Sequence, residues 1–248
     1  MKRSTTATFA ALTAGLLVSG AAHAATNLVQ NGSFELDSLG TAHEFGASHD
    51  GQTLTDWTSP SANAFNLYFP LGTATGPTDA DTRFSEHGQF LHVLPANADP
   101  DGGAFVALDG DPNYNGPLEQ TISGLTVGAK YVVSFDWAAA QYADRTGATT
   151  EQLQVSFGGD TQSTAVIDNA SESATDWMTQ DFTFTANSTS QVLSFLSVGT
   201  PAGLPPVALL DGVSVTAVPE PATWAVMLLG FGGIGLAIRR RAVKAARA

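Results

Sequence analysis

The second half of this chain contains short stretches in which apolar and polar residues alternate one by one. The alternation is clearest over residues 131–137, 152–157 and 181–185. Because successive side chains of a strand point to opposite faces of a sheet, this period of two predicts half-buried antiparallel strands. Shorter apolar runs predict further strands, at residues 28–34, 105–109, 118–122, 192–198 and 207–215.

No window before residue 219 shows a sustained helical period. Many short strands at regular spacing are typical of an all-β sandwich or jelly roll. Since about 190 residues suffice for one such core, we expect one β-sandwich domain over residues 25–218. Within it, residues 36–100 are rich in Gly, Ser, Thr, Asp and Pro. They predict long loops with two or three short strands, at residues 54–57, 65–69 and 90–94.

The first 24 residues have the three parts of a secretory signal peptide. Lys2 and Arg3 form a basic start, and residues 8–20 are apolar and small. Ala22 and Ala24 then fit the A-x-A cleavage pattern, so we expect signal peptidase to release the mature chain after residue 24. The alternative, an uncleaved anchor, is disfavoured by the short apolar run.

The opposite end of the chain predicts a membrane helix. Residues 222–238 hold no charged residue, and 17 residues of helix span about 25 Å, at the lower limit for a bilayer core. A basic tail follows, and basic residues stay on the cytoplasmic side. The chain is therefore expected to be anchored in the inner membrane, with its domain outside. A plain C-terminal anchor is the simplest interpretation.

The residues around this helix point to a sorting signal. The segment reads PEPATWA, then a glycine-bearing apolar run, then an arginine cluster. It resembles the PEP-CTERM sorting signal in its PEPxxWA form, over residues 219–248. The signal residues are Pro219, Glu220, Pro221, Trp224, Ala225, Arg239, Arg240 and Arg241. The resemblance implies processing by an exosortase-type membrane enzyme, loss of the helix, and a final place at the cell surface or outside the cell.

Charge is concentrated on the mature domain. The chain has 10 basic and 23 acidic residues, but residues 25–218 retain only Arg83, Lys130 and Arg145 against 22 acids, a formal charge of −19. Such a surface repels nucleic acid and anionic lipid, and it suits cations or neutral polymers such as glycans. The absence of cysteine excludes disulfides, thiol catalysis and thiolate metal sites.

Several segments of the domain resemble known families. Residues 27–35, NLVQNGSFE, look like the opening strand of galactose-binding-like jelly rolls. Residues 105–110, 118–122 and 131–136 are similar to the middle of the DUF642 and choice-of-anchor families, and residues 209–215 to their closing strand. Related jelly rolls include carbohydrate-binding modules, so the resemblance implies a glycan ligand, such as an extracellular polysaccharide.

Asp109, Asp111 and Asn113 form a D-x-D-x-N pattern, which is the start of a calcium loop. The EF-hand pattern then needs glycine and glutamate where this chain has Tyr114 and Gln120, so an EF-hand is excluded. Two interpretations stay open. One is a looser calcium turn at Asp109 and Asp111; the other is a hairpin loop whose side chains cap their own backbone.

Asp211 is the second metal candidate. It shares strand parity with Leu209 and Val213, which points it to the apolar side, and a buried carboxylate needs a partner. Alternatively, a bulge at Gly212 turns it outward. Glu35 ends the predicted first strand. In jelly-roll carbohydrate-binding modules the matching Glu and Asp help to bind a structural calcium, so the resemblance implies calcium at Glu35 and Asp211.

Aromatic residues in the loop-rich segments could stack on sugar rings. We expect Trp57, Tyr68 and Tyr114 to be such ligand-binding residues. The mature histidines, His43, His49, His87 and His92, are expected in surface loops, with a zinc site as the alternative. No G-x-S-x-G elbow occurs, and no spacing singles out a catalytic pair of carboxylates.

Together these features predict an exported, non-catalytic glycan-binding protein of the cell surface or extracellular matrix. Two alternatives remain open: a structural surface or biofilm protein without a small ligand, and a polysaccharide-active enzyme.

Overall fold

The structure is a computed structural model that describes residues 26–37, 40–45, 54–61, 64–72, 74, 90–143, 145–204 and 206–218. The predicted signal peptide, with Ala22 and Ala24, and the predicted sorting signal and helix of residues 219–248 lie outside the described residues. Within the described ranges, no helix is long and apolar enough to cross a membrane.

The described chain folds into β-strands joined by turns and loops. The strands are β1 (His43–Phe45), β2 (Asn66–Phe69), β3 (Phe105–Asp109), β4 (Leu118–Ser123), β5 (Lys130–Gln141), β6 (Thr149–Phe157), β7 (Asp160–Ser163), β8 (Ile167–Asn169), β9 (Met178–Thr185), β10 (Ser190–Thr200) and β11 (Pro206–Ala217). The stretches of clearest alternation are found in β5, β6 and β9.

Two antiparallel sheets form a sandwich. The larger sheet has the strand order β1-β2-β3-β11-β5-β9, and the smaller one has the order β4-β10-β6-β7, with β8 also paired to β6. Consecutive strands repeatedly cross between the sheets, as from β3 to β4 and from β10 to β11. The predicted all-β jelly-roll sandwich is confirmed.

The main core lies between the two sheets. Alternate residues of β6 are buried, and the ring of Phe135 on β5 packs edge to face against Phe195 on β10, with centroids 5.2 Å apart. Both rings are fully buried. Truncation of either to alanine is expected to cost about 3–5 kcal/mol of stability.

A second apolar cluster covers the outer face of the larger sheet. Ala107 and Leu209 face outward there and are fully buried, because Phe90, Leu91 and Trp177 from loops pack over them. The larger sheet therefore has apolar residues on both faces. This double burial explains why β3 and residues 207–210 of β11 are continuous apolar runs, unlike β6.

Residues 28–34, predicted as the first strand, do not form one. The segment instead runs beside β11, where Leu28 N donates to Val215 O and Val213 N donates to Gly32 O, both at 2.9 Å. Asn31 and Phe34 have positive φ angles of 49° and 54°, which break an extended strand. The segment takes over the edge of β11 where β3 no longer pairs with it.

The predicted short strands between residues 36 and 100 are confirmed in part. β2 matches the prediction at 65–69. Residues 54–57 form a turn, in which Trp57 N donates to Leu54 O, and Leu91 makes only an isolated bridge to Tyr142. Pairing partners, which the sequence does not reveal, decide which apolar runs become strands.

The sandwich has two distinct ends. At the end that we call the base, Val218 N donates to Lys130 O at 2.9 Å, and Leu28 lies beside Val215, so the described chain enters and leaves there. At the opposite end, the top, Val207 pairs with Asp109. The loops that follow β3, β5 and β10 lie at the top.

Candidate functional site

Asp211 lies where β11 changes partners. β11 pairs with β3 up to Leu210, and its register with β5 shifts between Asp211 and Ser214. Gly212 has a φ of +61°, and a Cβ there would lie 2.7 Å from Asp136 Oδ2, so this bulge suits glycine. The bulge at Gly212, given from the sequence as an alternative, is therefore present.

The bulge changes the parity of the strand. Leu210, Val213 and Val215 all face the core between the sheets, whereas Asp211 follows Leu209 on the outer face. The shared parity of Asp211 with Val213, assumed from the sequence, is wrong. The bulge does not turn Asp211 to solvent either, since its side chain is 0% exposed.

The carboxyl group of Asp211 is buried beside another acid, Asp99. Neither of its oxygens meets the geometry of a hydrogen bond among the described residues, although the Asp99 side chain and the Gly212 backbone N–H lie close enough to influence its pKa. Burial, the negative charge of Asp99 and a hydrogen bond with the Asp99 side chain raise the pKa of Asp211 to about 10. Burial also raises the pKa of Asp99. Asp136 on β5 pairs in register with Asp211. Its Oδ1 accepts a hydrogen bond from Thr179 Oγ1 at 2.5 Å.

Glu35 lies beside the residues that come immediately before β3. Its Oε1 accepts a hydrogen bond of 2.7 Å from Ala104 N. Gly103, with a φ of +121°, packs so closely that a Cβ would fall 1.8 Å from this oxygen. The described contacts thus join Glu35 to the residues before β3, and none joins it directly to Asp211.

A groove of about 660 Å³ runs beside these residues, and we call it the acidic groove. Its polar lining includes Glu35, Asp101 and Asp136, with the amides Asn27 and Asn31. Lysine, arginine and histidine are absent from its described lining. The groove therefore offers hydrogen-bond acceptors and negative charge, which suit cations or hydroxyl-rich neutral ligands.

The fit of these residues to a metal ion is mixed. Among the described residues, no group of three or more His, Asp or Glu side chains is arranged to hold one. Calcium accepts carboxylates together with backbone carbonyls and waters. Asp211 and Asp99 lie close enough to interact, and carboxyl groups are the donor type that calcium prefers. No described contact joins Glu35 to this pair.

In the Asp109–Asn115 loop at the top, by contrast, the carboxylates accept well-formed hydrogen bonds. Asp109 Oδ1 accepts from Asp111 N at 2.7 Å, and Asp111 Oδ1 accepts from both nitrogens of Asn113 at 2.9 Å. The other oxygen of Asp111 accepts from Gly203 N. These carboxylates cap backbone groups, which favours the hairpin interpretation over a calcium turn.

The two carboxyls of this loop have shifted pKa values. Burial, with the charge of Asp111, raises the pKa of Asp109 to about 7. Although burial opposes it, the hydrogen bonds from Asn113 and Gly203 lower the pKa of Asp111. Asp111 is thus a carboxylate that the fold stabilises in its charged form.

Two of the three predicted sugar-stacking residues are buried. Trp57 is 2% exposed; its ring packs on Phe34 at 5.4 Å, and its Nε1 donates to Asn31 O. Tyr68 on β2 is 3% exposed, and burial raises its pKa to about 12. Neither ring is open to a glycan, so both predictions are wrong. The loop-rich context was misleading, because Trp57 packs into the main core from its turn and Tyr68 faces the same core from β2.

Tyr114 is exposed, as predicted. Its side chain is 54% exposed, while its backbone is fixed on both sides. Tyr114 N donates to Asp111 O, and Phe65 N donates to Tyr114 O, both at 2.9 Å. Asn115 Nδ2 also donates to Ser197 O at 3.2 Å. Tyr114 is therefore an aromatic ring held out from a rigid loop.

The histidines give no metal site among the described residues. His92 Nε2 lies 2.7 Å from Arg145 O, and His43 lies in β1. His49 and His87 lie outside the described residues.

Three acids of this region, Asp99, Asp101 and Asp136, were not predicted from the sequence as site residues. Asp136 meets Asp211 only through strand register, and the other two come from an irregular loop. Glu151, which is 0% exposed at the start of β6 and whose pKa burial raises to about 8, was not predicted either. The alternation within β6 does place Glu151 on the buried face, and that was the available signal.

Three solved structures are similar to this chain. TmCBM61, solved in complex with β-1,4-galactotriose, is 16% identical with a TM-score of 0.39, over 78% of this chain and 99% of that one. The CBM22-1 xylan-binding domain from Paenibacillus barcinonensis Xyn10C is 13% identical with a TM-score of 0.39, over 81% and 99%. The enzymatically active domain of tailspike protein 4 from bacteriophage CBA120 is 12% identical with a TM-score of 0.36, over 77% and 21%.

Two family models match the sequence, and both agree with the resemblances found in it. The PEP-CTERM protein-sorting motif matches residues 217–241, and DUF642, a protein family of unknown function, matches residues 95–215. No curated protein matches the sequence. The chain thus ends in a PEP-CTERM sorting motif, and its β-sandwich is similar over residues 95–215 to proteins of the DUF642 family.

Proposed function

We propose that this protein is an exported, non-catalytic surface protein that binds a neutral glycan. The PEP-CTERM motif indicates export and a membrane-anchored sorting signal. We propose that an exosortase-type enzyme then removes the anchor and that the sandwich finally resides at the cell surface or outside the cell, where polysaccharide is available as a ligand.

The observation that carries this proposal is the presentation of Tyr114. An exposed ring on a hydrogen-bonded loop can stack on the apolar face of a sugar with little loss of conformational entropy. It lies at the top of the sandwich, away from the base where the chain leaves toward the anchor. The formal charge of −19 over residues 25–218 favours neutral over acidic glycans.

A polysaccharide-active enzyme is the less supported alternative. The acidic groove contains three carboxylates, and two carboxyls are enough for glycoside hydrolysis. Yet Glu35 and Asp136 each commit an oxygen to a donor of the protein itself, Ala104 N and Thr179 Oγ1. A purely structural surface protein is the remaining alternative.

The decisive experiment is a glycan array with residues 25–218, followed by a turnover assay on every glycan that binds. Binding of neutral glycans without turnover supports the proposal, and turnover supports the enzyme. If neither binding nor turnover is found across neutral polysaccharides, the structural alternative is the right one.

We also propose that a structural calcium ion is held at Asp211, with Glu35 contributing from the segment beside β11. The support is the buried carboxyl of Asp211, which lies beside a second acid, Asp99. When bound, the ion would supply positive charge, and it would tie residues 28–35 to the last strand.

A further inference from the structure

The sequence limits how far the base of the sandwich can lie from the membrane. Val218 is fixed to the sandwich, because its N–H donates to Lys130 O at 2.9 Å. Residues 219–221 alone separate it from the apolar run of residues 222–238. Even a fully extended chain puts Ala222 at most about 14 Å from Val218. The base therefore stays close to the start of the predicted membrane helix.

The length of the apolar run brings the base closer still. As a helix this run spans about 25 Å, whereas a bilayer core is about 30 Å thick. A short membrane helix is accommodated by local thinning of the bilayer or by drawing its flanking residues into the interface. The headgroup layer on each side is about 5–7 Å thick. A tether of at most about 14 Å thus leaves the base within this layer or directly on it.

Hydrogen bonds between its loops make the base a fixed surface. The loop from β4 to β5 is joined to the loop from β9 to β10 by Gly128 N, which donates to Ala186 O at 2.7 Å. Asn187 Nδ2 donates to Gly158 O at 2.8 Å, which adds the turn between β6 and β7. The base therefore approaches the membrane as one unit rather than as separate loops.

The base differs from the rest of the domain in charge. Its loops and strand ends comprise residues 26–28, 124–130, 158–160, 186–190 and 216–218. They contain two charged side chains, Lys130 and Asp160, and therefore have a formal charge of zero. Residues 25–218 as a whole have a formal charge of −19, so anionic headgroups repel the other faces more strongly than the base. Val127 and Val218, which are 59% and 38% exposed, add apolar surface there.

We propose that the base is a membrane-contacting surface, which the three-residue tether holds against the phospholipid headgroups while the sorting signal is in place. Val127 and Val218 contact the interface, and Lys130 can pair with a lipid phosphate. This orientation points the top of the sandwich, with Tyr114, away from the membrane. The inference depends on the anchored state of the chain and not on the glycan-binding function.

The test uses the full-length protein in nanodiscs of phosphatidylcholine, part of which carries a nitroxide spin label on its headgroup. Because the chain has no cysteine, Val127→Cys provides a unique attachment site for a fluorophore. Val166→Cys is the matched control, since Val166 is also a valine and is 61% exposed. It directly precedes β8, which pairs with the start of β6 near the top. Both positions are exposed, so neither label should disturb the core.

The spin-labelled lipid is expected to lower the fluorescence from position 127 by about half or more and that from position 166 by less than about a fifth, because the quencher must come close to the label and the tether holds only the base near the headgroups. A linker of about 20 Gly and Ser residues inserted after Val218 averages about 25 Å, and it should bring the quenching at 127 down to that at 166.

Equal quenching at the two positions would overturn the inference. Absence of quenching at 127 would also overturn it and would leave the processing enzyme, rather than lipid, as the partner of the base. Quenching that the longer linker does not reduce would contradict the role of the tether. Failure of the full-length protein to enter nanodiscs would reject the membrane helix together with this inference. The glycan array tests the proposed function separately, because it uses residues 25–218 without the anchor.

Discussion

The Asp109–Asn115 loop and the surroundings of Asp211 contain the same residue types in opposite states. In the loop, Asp109 and Asp111 lie buried, but their oxygens accept backbone hydrogen bonds. On β11, Asp211 is equally buried, its oxygens meet the geometry of no hydrogen bond among the described residues, and the acid Asp99 lies beside it. Burial alone therefore does not distinguish the two regions; the groups around each carboxyl do.

The two regions should respond differently to pH, and this is the largest effect we expect. The pKa of Asp211 is raised to about 10, so the folded state binds its proton more tightly than the unfolded state does. The stability this contributes is complete below about pH 4 and is lost as pH rises toward 10. The lowered pKa of Asp111 has the opposite effect, because its contribution is lost only as pH falls below about 4.

The measurement is the free energy of unfolding of residues 25–218 from pH 5 to pH 8 with chelator present. It should fall by up to about 1.4 kcal/mol per pH unit from Asp211 alone. Glu151 and Asp109, whose pKa values burial raises to about 8 and about 7, add to the fall. Asp211→Asn should flatten the slope, and an equally steep slope in that variant would contradict the assignment.

A substitution in the Asp109–Asn115 loop should have the next largest effect on stability. Asp111→Ala removes the acceptor for Asn113 and Gly203 and leaves their backbone groups unpaired. We expect a loss of about 3 kcal/mol and, for a domain of this size, a fall in Tm of roughly 6–12 °C. In the same assay at pH 7 with chelator, Asp211→Asn should leave the Tm unchanged or raise it. A larger loss from Asp211→Asn than from Asp111→Ala would reverse our comparison.

Calcium binding should depend on the surroundings of Asp211 and not on the Asp109–Asn115 loop. Millimolar calcium is expected to stabilise residues 25–218 by about 2.7 kcal/mol at a hundredfold excess over Kd, and chelator should reverse the rise in Tm. Asp211→Asn and Glu35→Gln should abolish most of the shift, whereas Asp111→Asn should retain it. Sodium at matched ionic strength is the control for screening. An equal shift with sodium, or an undiminished shift in both the Asp211 and Glu35 variants, excludes this site.

The fold could be predicted where the signal is local. The alternation in β5, β6 and β9 depends only on which face each residue occupies, and those strands were predicted correctly. Residues 28–34 were not, since the positive φ angles of Asn31 and Phe34 depend on contacts with distant segments. Trp57 and Tyr68 were predicted to be exposed because the surrounding sequence is loop-rich, and nothing local shows that the turn at Trp57 packs into the core or that β2 turns Tyr68 toward it.

The candidate site was predictable only in its separate parts. Glu35 and Asp211 were predicted as calcium ligands from their strand positions and from the family resemblance, and that role stays a prediction, whereas the bulge considered at Gly212 is present. The meeting of Asp136 with Asp211 is a consequence of pairing register across more than seventy residues of chain, and Asp99 reaches them from an irregular loop. Such convergence is set by the tertiary fold, so no spacing in the sequence reveals it.

The smallest expected effect concerns Tyr114, the exposed ring on the Asp109–Asn115 loop. Tyr114 contributes little to the core, because its side chain is 54% exposed, so Tyr114→Ala should leave the Tm nearly unchanged. If the ring stacks on a sugar, the variant should weaken glycan binding by about 1 kcal/mol, roughly fivefold in Kd. Tyr114→Phe keeps the ring and should keep most of the affinity. Val127→Ala, an equally exposed position at the base, should change neither quantity. Loss of stability without loss of affinity would make Tyr114 a structural residue. The Asp109–Asn115 loop would then differ from the surroundings of Asp211 only in the hydrogen bonds of its carboxyls.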